Sequence, residues 1–193
     1  MKPENILLDA EGHVRIADFG LSKPNMGERD VAYSFCGSPE YMAPEMLKKE
    51  GHTLAVDNYC LGVLLYELVT GLPPFYSKDI NKIYASILND PVTFPSNVEL
   101  SKELKDLLVR LLAKNPGNRI GSKDGLAEVL VHPWFGNLSM TALLEKKLPP
   151  PFVPDPLKFY FHLHDNTKGT GEIETIDKLL GRTGLTKDIK VFD

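Results

Sequence analysis

The sequence predicts a mainly α-helical domain with a small β-hairpin, and three observations predict it. Apolar residues recur at helical spacing through the middle of the chain. Two short apolar runs near the N-terminus flank a turn-forming "DAEG", and a proline-dense segment near the C-terminus can be neither helix nor central strand.

The hairpin comes first. Ile6 to Leu8 and His13 to Ala17 are short and rich in apolar and β-branched residues, and the Asp and Gly between them favour a turn. Antiparallel pairing about that turn sets Asn5 and Asp18 side by side at the open end. From Leu21 to about Lys49 no periodicity is sustained, which predicts a long loop of the kind that is usually functional. "DNYCLGVLLYELVTG" is apolar nearly all round, as a buried central helix should be, and Gly71 followed by two prolines ends it. Ile80, Ile83, Tyr84, Ile87 and Leu88 repeat at helical spacing. So do Leu104, Leu107, Leu108, Leu111 and Leu112 behind a Ser101 cap. A last short helix is expected from about Asp124 to Val131, before Pro133. "KKLPPPFVPDP" loses backbone donors and has φ fixed by its prolines, so it should run as an extended strap. These features divide the chain into a domain of residues 1–135 and a tail of 136–193 that is expected to be weakly ordered after about 156.

Composition narrows the function classes. The 193 residues, 42% hydrophobic and 25% charged, suffice for one sizeable core plus a tail. A net charge of -4 argues against a duplex nucleic-acid binder, which would show a basic face. Two cysteines, Cys36 and Cys60, make neither a disulfide framework nor a zinc site, so a reducing compartment is expected. No signal-peptide layout and no apolar run long enough to span a bilayer are present, which points to a cytosolic or nuclear address.

The chemistry-bearing residues lie at the mouth of the hairpin. Asn5 in "KPEN" and Asp18 in "DFG" supply an amide and a carboxylate, thirteen residues apart. Magnesium takes oxygen ligands and keeps only one or two protein groups, with phosphates and water completing the octahedron, so the pair suits it. By contrast, His162 and His164 in "HLH" have no further ligands nearby for zinc, and "KGTGE" lacks the following helix pattern of a phosphate cradle.

In order, "KPEN", "DFG", "APE" at Ala43 to Glu45, "DNYCLG" with Asp57 and Gly62, and Arg119 in "NPGNRIG" resemble the eukaryotic protein kinases over most of the chain. Tyr59 stands where a tryptophan is usual in that family. Lys2 is the mark of the serine/threonine kinases. "SFCGSPEYMAPE" together with "LLEKKLPPPFVPDP" is similar to the AGC group, although the usual "NFD" segment and terminal hydrophobic motif are not found after Asp155. The fold expected is the large C-terminal lobe of a kinase with part of the C-terminal tail.

The resemblance implies roles, residue by residue. ATP and Mg2+ would be the cofactors, with Asp18 holding the metal that bridges the β- and γ-phosphates and Asn5 a second one, Lys2 neutralising the transferred phosphoryl group and Leu7 packing under the adenine. Ser34 aligns with the activation-loop phosphosite, to be modified by an upstream kinase and paired, once charged, with Lys23. Ser38 carries the hydroxyl that matches serine/threonine substrates, and Glu4 and Glu67 are acidic positions that would attract arginine on a protein substrate. Glu45 and Arg119 would form a buried ion pair, and Asp57 would accept backbone N–H bonds from the catalytic loop. A monomer is expected.

The family's "HRD", glycine-rich loop and strand lysine do not occur in these residues. The resemblance puts the catalytic aspartate immediately before Met1. Loss of a general base removes a factor of roughly 10² to 10⁴, and loss of the small lobe removes half the nucleotide pocket. The chain by itself is therefore expected to be an inefficient kinase. Three readings follow: part of an active AGC-like kinase whose start was set at an internal methionine, a truncated lobe acting as a binding or decoy module, or a degenerate fragment. The intact metal, activation-loop and ion-pair motifs favour the first.

Overall fold

A computed structural model describes residues 1–27, 30–136 and 138–155. They fall into two compact units, Met1–Asn5 with Ala17–Leu138, and Ile6–Ile16 with the described part of Ser139–Asp193.

The first unit is helical. Its centre is α2, Ala55–Thr70, whose Tyr59, Gly62, Val63, Leu64 and Tyr66 are buried. The helix stops at Gly71, which adopts φ 87 and returns its N–H to the Glu67 carbonyl, as a left-handed terminal glycine does. Helix α4, Lys102–Leu111, begins where Ser101 Oγ accepts from the Leu104 N–H at 3.1 Å. Its Leu104, Leu107, Leu108 and Leu111 are buried. Gly62 is what lets α2 and α4 approach, since a Cβ there would lie 2.8 Å from Leu111 Cβ. Leu107 and Leu111 meet Ile120 and Val129 in the core, with Leu61, Leu65 and Phe135 packed against them. Helix α3, Ile80–Asn89, starts at an Asp79 cap and buries Ile83 and Ile87.

Two elements of the first unit depart from the sequence reading. The segment expected to be loop up to Lys49 ends in a one-turn helix α1, Pro44–Lys48. Five residues are too few to show a period, and the only local signal is a proline at the first helical position, where its missing N–H costs nothing. Helix α5 spans only Leu126–Leu130, because Gly125 at φ 58 starts it late. Earlier in the loop, Ala32 and His52 exchange two backbone hydrogen bonds of 2.8 Å and pin the segment at one point.

The second unit holds β1, Ile6–Leu8, and β2, Val14–Ile16, paired antiparallel with Leu7 opposite Arg15. The turn forms around Asp9, whose carboxylate accepts from the Glu11 and His13 N–H groups. A short helix α6, Met140–Leu144, was not signalled by the sequence; Ser139 Oγ caps it by accepting from the Ala142 N–H. Residues 148–155 form neither helix nor strand, as the prolines require. The expectation of weak order after about 156, and the "HLH" and "KGTGE" segments, lie outside the described residues. Among the described residues no helix is long and apolar enough to cross a membrane.

Candidate functional site

Asn5 ends a single 3₁₀ turn, Pro3–Asn5, closed by its N–H on the Lys2 carbonyl at 3.0 Å. Its own carbonyl accepts from the Ala17 N–H at 2.8 Å, which fixes the two chain segments in register. Asp18 follows one residue later, and Asn5 Nδ2 donates to Asp18 Oδ2 at 3.4 Å. The two ligands picked from the sequence are thus adjacent. Asp18 also has φ 58, a left-handed conformation that is uncommon outside glycine and is tolerated by Asp, while its Oδ1 accepts from the Gly20 N–H at 3.2 Å. An exposed carboxylate held in a sparsely populated backbone conformation is a recurrent feature of ligand-clamping residues.

The donor set fits magnesium. After Asn5 Nδ2 has donated, the amide oxygen and several carboxylate lone pairs are unused, all of them hard oxygen donors. Among the described residues no group of three or more His, Cys, Asp or Glu could enclose a metal without other ligands, so a cation here would need phosphates and water as well. Lys2 is half-buried beside this turn, and no described residue pairs with its ammonium. Leu7 sits on β1 in the second unit, 51% exposed.

A second group gathers around α2. Tyr41, buried in the 3₁₀ turn Pro39–Tyr41, donates its hydroxyl to Glu67 Oε2. Burial pushes the Glu67 carboxyl above its usual range, the Tyr41 bond opposes this, and the negative charges of Glu4 and Glu40 add to it. Glu4 and Glu67 are therefore parts of one acidic group. Glu40 is its third member, missed in the sequence, where its position two residues after Ser38 in "GSPEY" was the available signal. Burial, then the Glu67 contact, pushes the Tyr41 hydroxyl up as well. Ser38 is half-buried just before the turn, and its side chain does not cap it. Cys60 Sγ donates to the Tyr41 carbonyl at 3.3 Å, and burial raises its thiol to about 11, a poor nucleophile.

Glu45 and Arg119 meet as a bidentate pair at 2.8 and 3.0 Å, both buried. Asp57 is exposed, and among the described residues none donates to its carboxylate. It stands in the first turn of α2, where the helix dipole and water suffice for its charge. Among the described residues no contact joins Lys23 to exposed Ser34, and Lys49, a further basic group, has its Nζ 5.8 Å from the centre of the Phe35 ring.

Comparison with known proteins follows the same lines. The protein kinase domain family matches residues 1–135. The chain is 51% identical over 154 residues to the serine/threonine-protein kinase gad8 of Schizosaccharomyces pombe, covering 80% of this chain and 26% of that protein. It is 46% identical over 155 residues to Sgk3 of Rattus norvegicus, 80% of this chain and 31% of that one. It is 40% identical over 189 residues to human Sgk2, 98% of this chain and 48% of the relative. It spans less than half the length of each. A match over residues 1–135, with the ordered motifs and the Glu45–Arg119 pair, places this chain in the eukaryotic protein kinase family, within its AGC group of serine/threonine kinases.

Proposed function

We propose that the chain is the catalytic-loop, activation-loop and substrate-docking part of a serine/threonine protein kinase that transfers the γ-phosphoryl group of ATP to protein hydroxyls. The observation that carries this reading is the contact between Asn5 and Asp18 at the open end of the hairpin. Phosphoryl transfer is mostly positioning and charge neutralisation, and a bound Mg2+ would supply the charge that draws electron density off the phosphates. Asn5 and Asp18 are the residues that would hold it. Lys2, half-buried and without a carboxylate partner among the described residues, is placed to neutralise the group in transfer. Leu7, with its exposed side chain, offers an apolar face to the adenine. Ser34, exposed in the loop, is proposed as the site of an activating phosphate, with Lys23 as the cation it would pair with and Lys49, over the Phe35 ring, as a second. Ser38 lies on the substrate side, and a cytosolic or nuclear setting suits a protein substrate.

By itself the chain is proposed to transfer phosphate negligibly, because its 193 residues contain no "HRD" aspartate, glycine-rich loop or strand lysine. The test uses the whole chain with ATP and Mn2+ in place of Mg2+. Paramagnetic broadening of the Asn5, Asp18 and Gly20 amide signals is expected, and Asp18→Asn, which keeps a residue tolerant of positive φ, should abolish it. Absence of localised broadening in the unaltered chain overturns the metal assignment. Turnover on an arginine-rich serine peptide comparable to a complete kinase overturns the inactivity.

The acidic group supports a second reading. Glu4, Glu40 and Glu67 are all within this chain, so docking of a basic peptide needs none of the absent motifs. A truncated lobe could then act as a binding or decoy module, retaining arginine-rich peptides without phosphorylating them.

A further inference from the structure

The hairpin of the second unit cannot be held by its own apolar burial. Leu7, Leu8, Val14 and Ile16 are all between 44% and 61% exposed, and a two-stranded hairpin alone is marginal in water. It therefore needs a third element, and the structure supplies one at the turn. Gly12 adopts φ 86, and a Cβ built there would fall 2.2 Å from the Phe152 carbonyl oxygen and 3.0 Å from Pro150 Cβ. The turn geometry accounts for the sign of φ, but only the strap accounts for the missing space. These are separate demands, because Asn meets the first and fails the second.

A second grip lies at the start of the strap. Helix α6 is followed by Lys146 at φ 55, and Lys146 Nζ reaches Asp9 Oδ2 at 3.7 Å and Glu11 Oε2 at 3.9 Å. Asp9 is itself fixed by the Glu11 and His13 amides and by Arg15 Nη2 at 2.9 Å, so the anion is oriented before the lysine arrives.

We propose that the Asp9–His13 turn is a receptor for the proline strap, gripping it through the notch at Gly12 and the charge contacts of Lys146, and that release of the strap loosens the strand carrying Leu7. The hairpin and strap then form one conformational device, docked or free. A modification that neutralised Lys146 would bias it toward release. This inference stands apart from the catalytic reading.

Chymotryptic cleavage after Phe152 in the full chain, timed by mass spectrometry, reads the free state. Gly12→Asn should raise the cleavage rate about tenfold or more, the range that overlap with a fixed neighbour produces. Lys146→Gln, removing only exposed ion pairs, should raise it about two- to threefold. Hydrogen exchange across residues 6–16 should quicken in parallel. Pro150→Gly, which leaves the turn untouched, should act in the same direction and guards against a Gly12 variant that fails to fold. A folded Gly12→Asn chain cleaved at the unaltered rate, or with unaltered exchange across the hairpin, overturns the proposal.

Discussion

Arg119 and Asp18 each sit at the centre of a polar constellation, and the two are built on opposite terms. Arg119 is 1% exposed and uses all five of its N–H donors, on the Glu45 carboxylate and on the Ala55 and Ala113 carbonyls. Asp18 is exposed, has φ 58, and accepts one long side-chain bond of 3.4 Å and one backbone bond of 3.2 Å. A saturated group has nothing left to offer a ligand, so Arg119 holds the fold. A group with unused lone pairs in a strained conformation can accept one, so Asp18 is where chemistry is sought.

The most severe way to break this comparison is to empty the saturated node. Arg119→Met leaves the Glu45 carboxylate, 4% exposed, without its cation and should cost about 3–5 kcal/mol in a urea or thermal melt. Adding Glu45→Leu to the same chain should recover much of that loss, since a buried pair is often replaceable by apolar side chains of similar volume. A single-variant loss below about 1 kcal/mol would show that water reaches Glu45 and that the pair is not a buried one.

A smaller effect sharpens the same point from within the core. Tyr59 is completely buried, 5.0 Å from the Arg119 guanidinium, and its hydroxyl has no hydrogen-bond partner among the described residues. Burial drives that hydroxyl well above its usual titration range, so it stays neutral. Tyr59→Phe keeps the ring over the cation and removes the unsatisfied oxygen, and should stabilise the chain by about 1 kcal/mol. Unchanged or lowered stability would mean that the hydroxyl has a partner, such as a buried water.

What the sequence revealed depended on whether the signal was periodic, ordered or merely spatial. Helices α2, α3 and α4 were legible because ten or more residues repeat a burial pattern, and Ser101 and Gly71 mark two of their ends through backbone chemistry. The Asn5–Asp18 contact was legible because a short hairpin fixes which residues flank its mouth. Helices α1 and α6 were not, since one turn has no period. Glu40 was missed because it adjoins Tyr41 along the chain, and only folding brings Tyr41 onto Glu67. Asp57 is exposed although its helix is apolar nearly all round, because composition along a helix does not say which single position meets water. The Lys23–Ser34 pairing had only the resemblance behind it, because residues in a loop carry no geometric constraint from spacing alone.

The smallest expected effect concerns Glu67, which lies between the two extremes. It is only partly removed from water, unlike Glu45, and no cation pairs with it among the described residues; Tyr41 donates instead, and Glu4 and Glu40 repel it. Its carboxyl is raised, so the folded chain holds that proton more tightly than the unfolded chain does. The contribution therefore favours folding at low pH and is lost as pH rises through the shifted value. Glu67→Gln should match the unaltered chain below the ordinary carboxylate range and exceed it at neutral pH by about 0.5 kcal/mol or less, given the partial exposure. The same variant should weaken binding of an arginine-rich peptide, measured by calorimetry, while Arg119→Lys should not remove that binding in a chain that still folds. A Gln variant less stable at neutral pH would mean that Glu67 already has a cation in the chain. The expected outcome instead separates a buried carboxylate from a half-buried one by the origin of their counter-charge, internal for Glu45 and brought by the docking partner for Glu67.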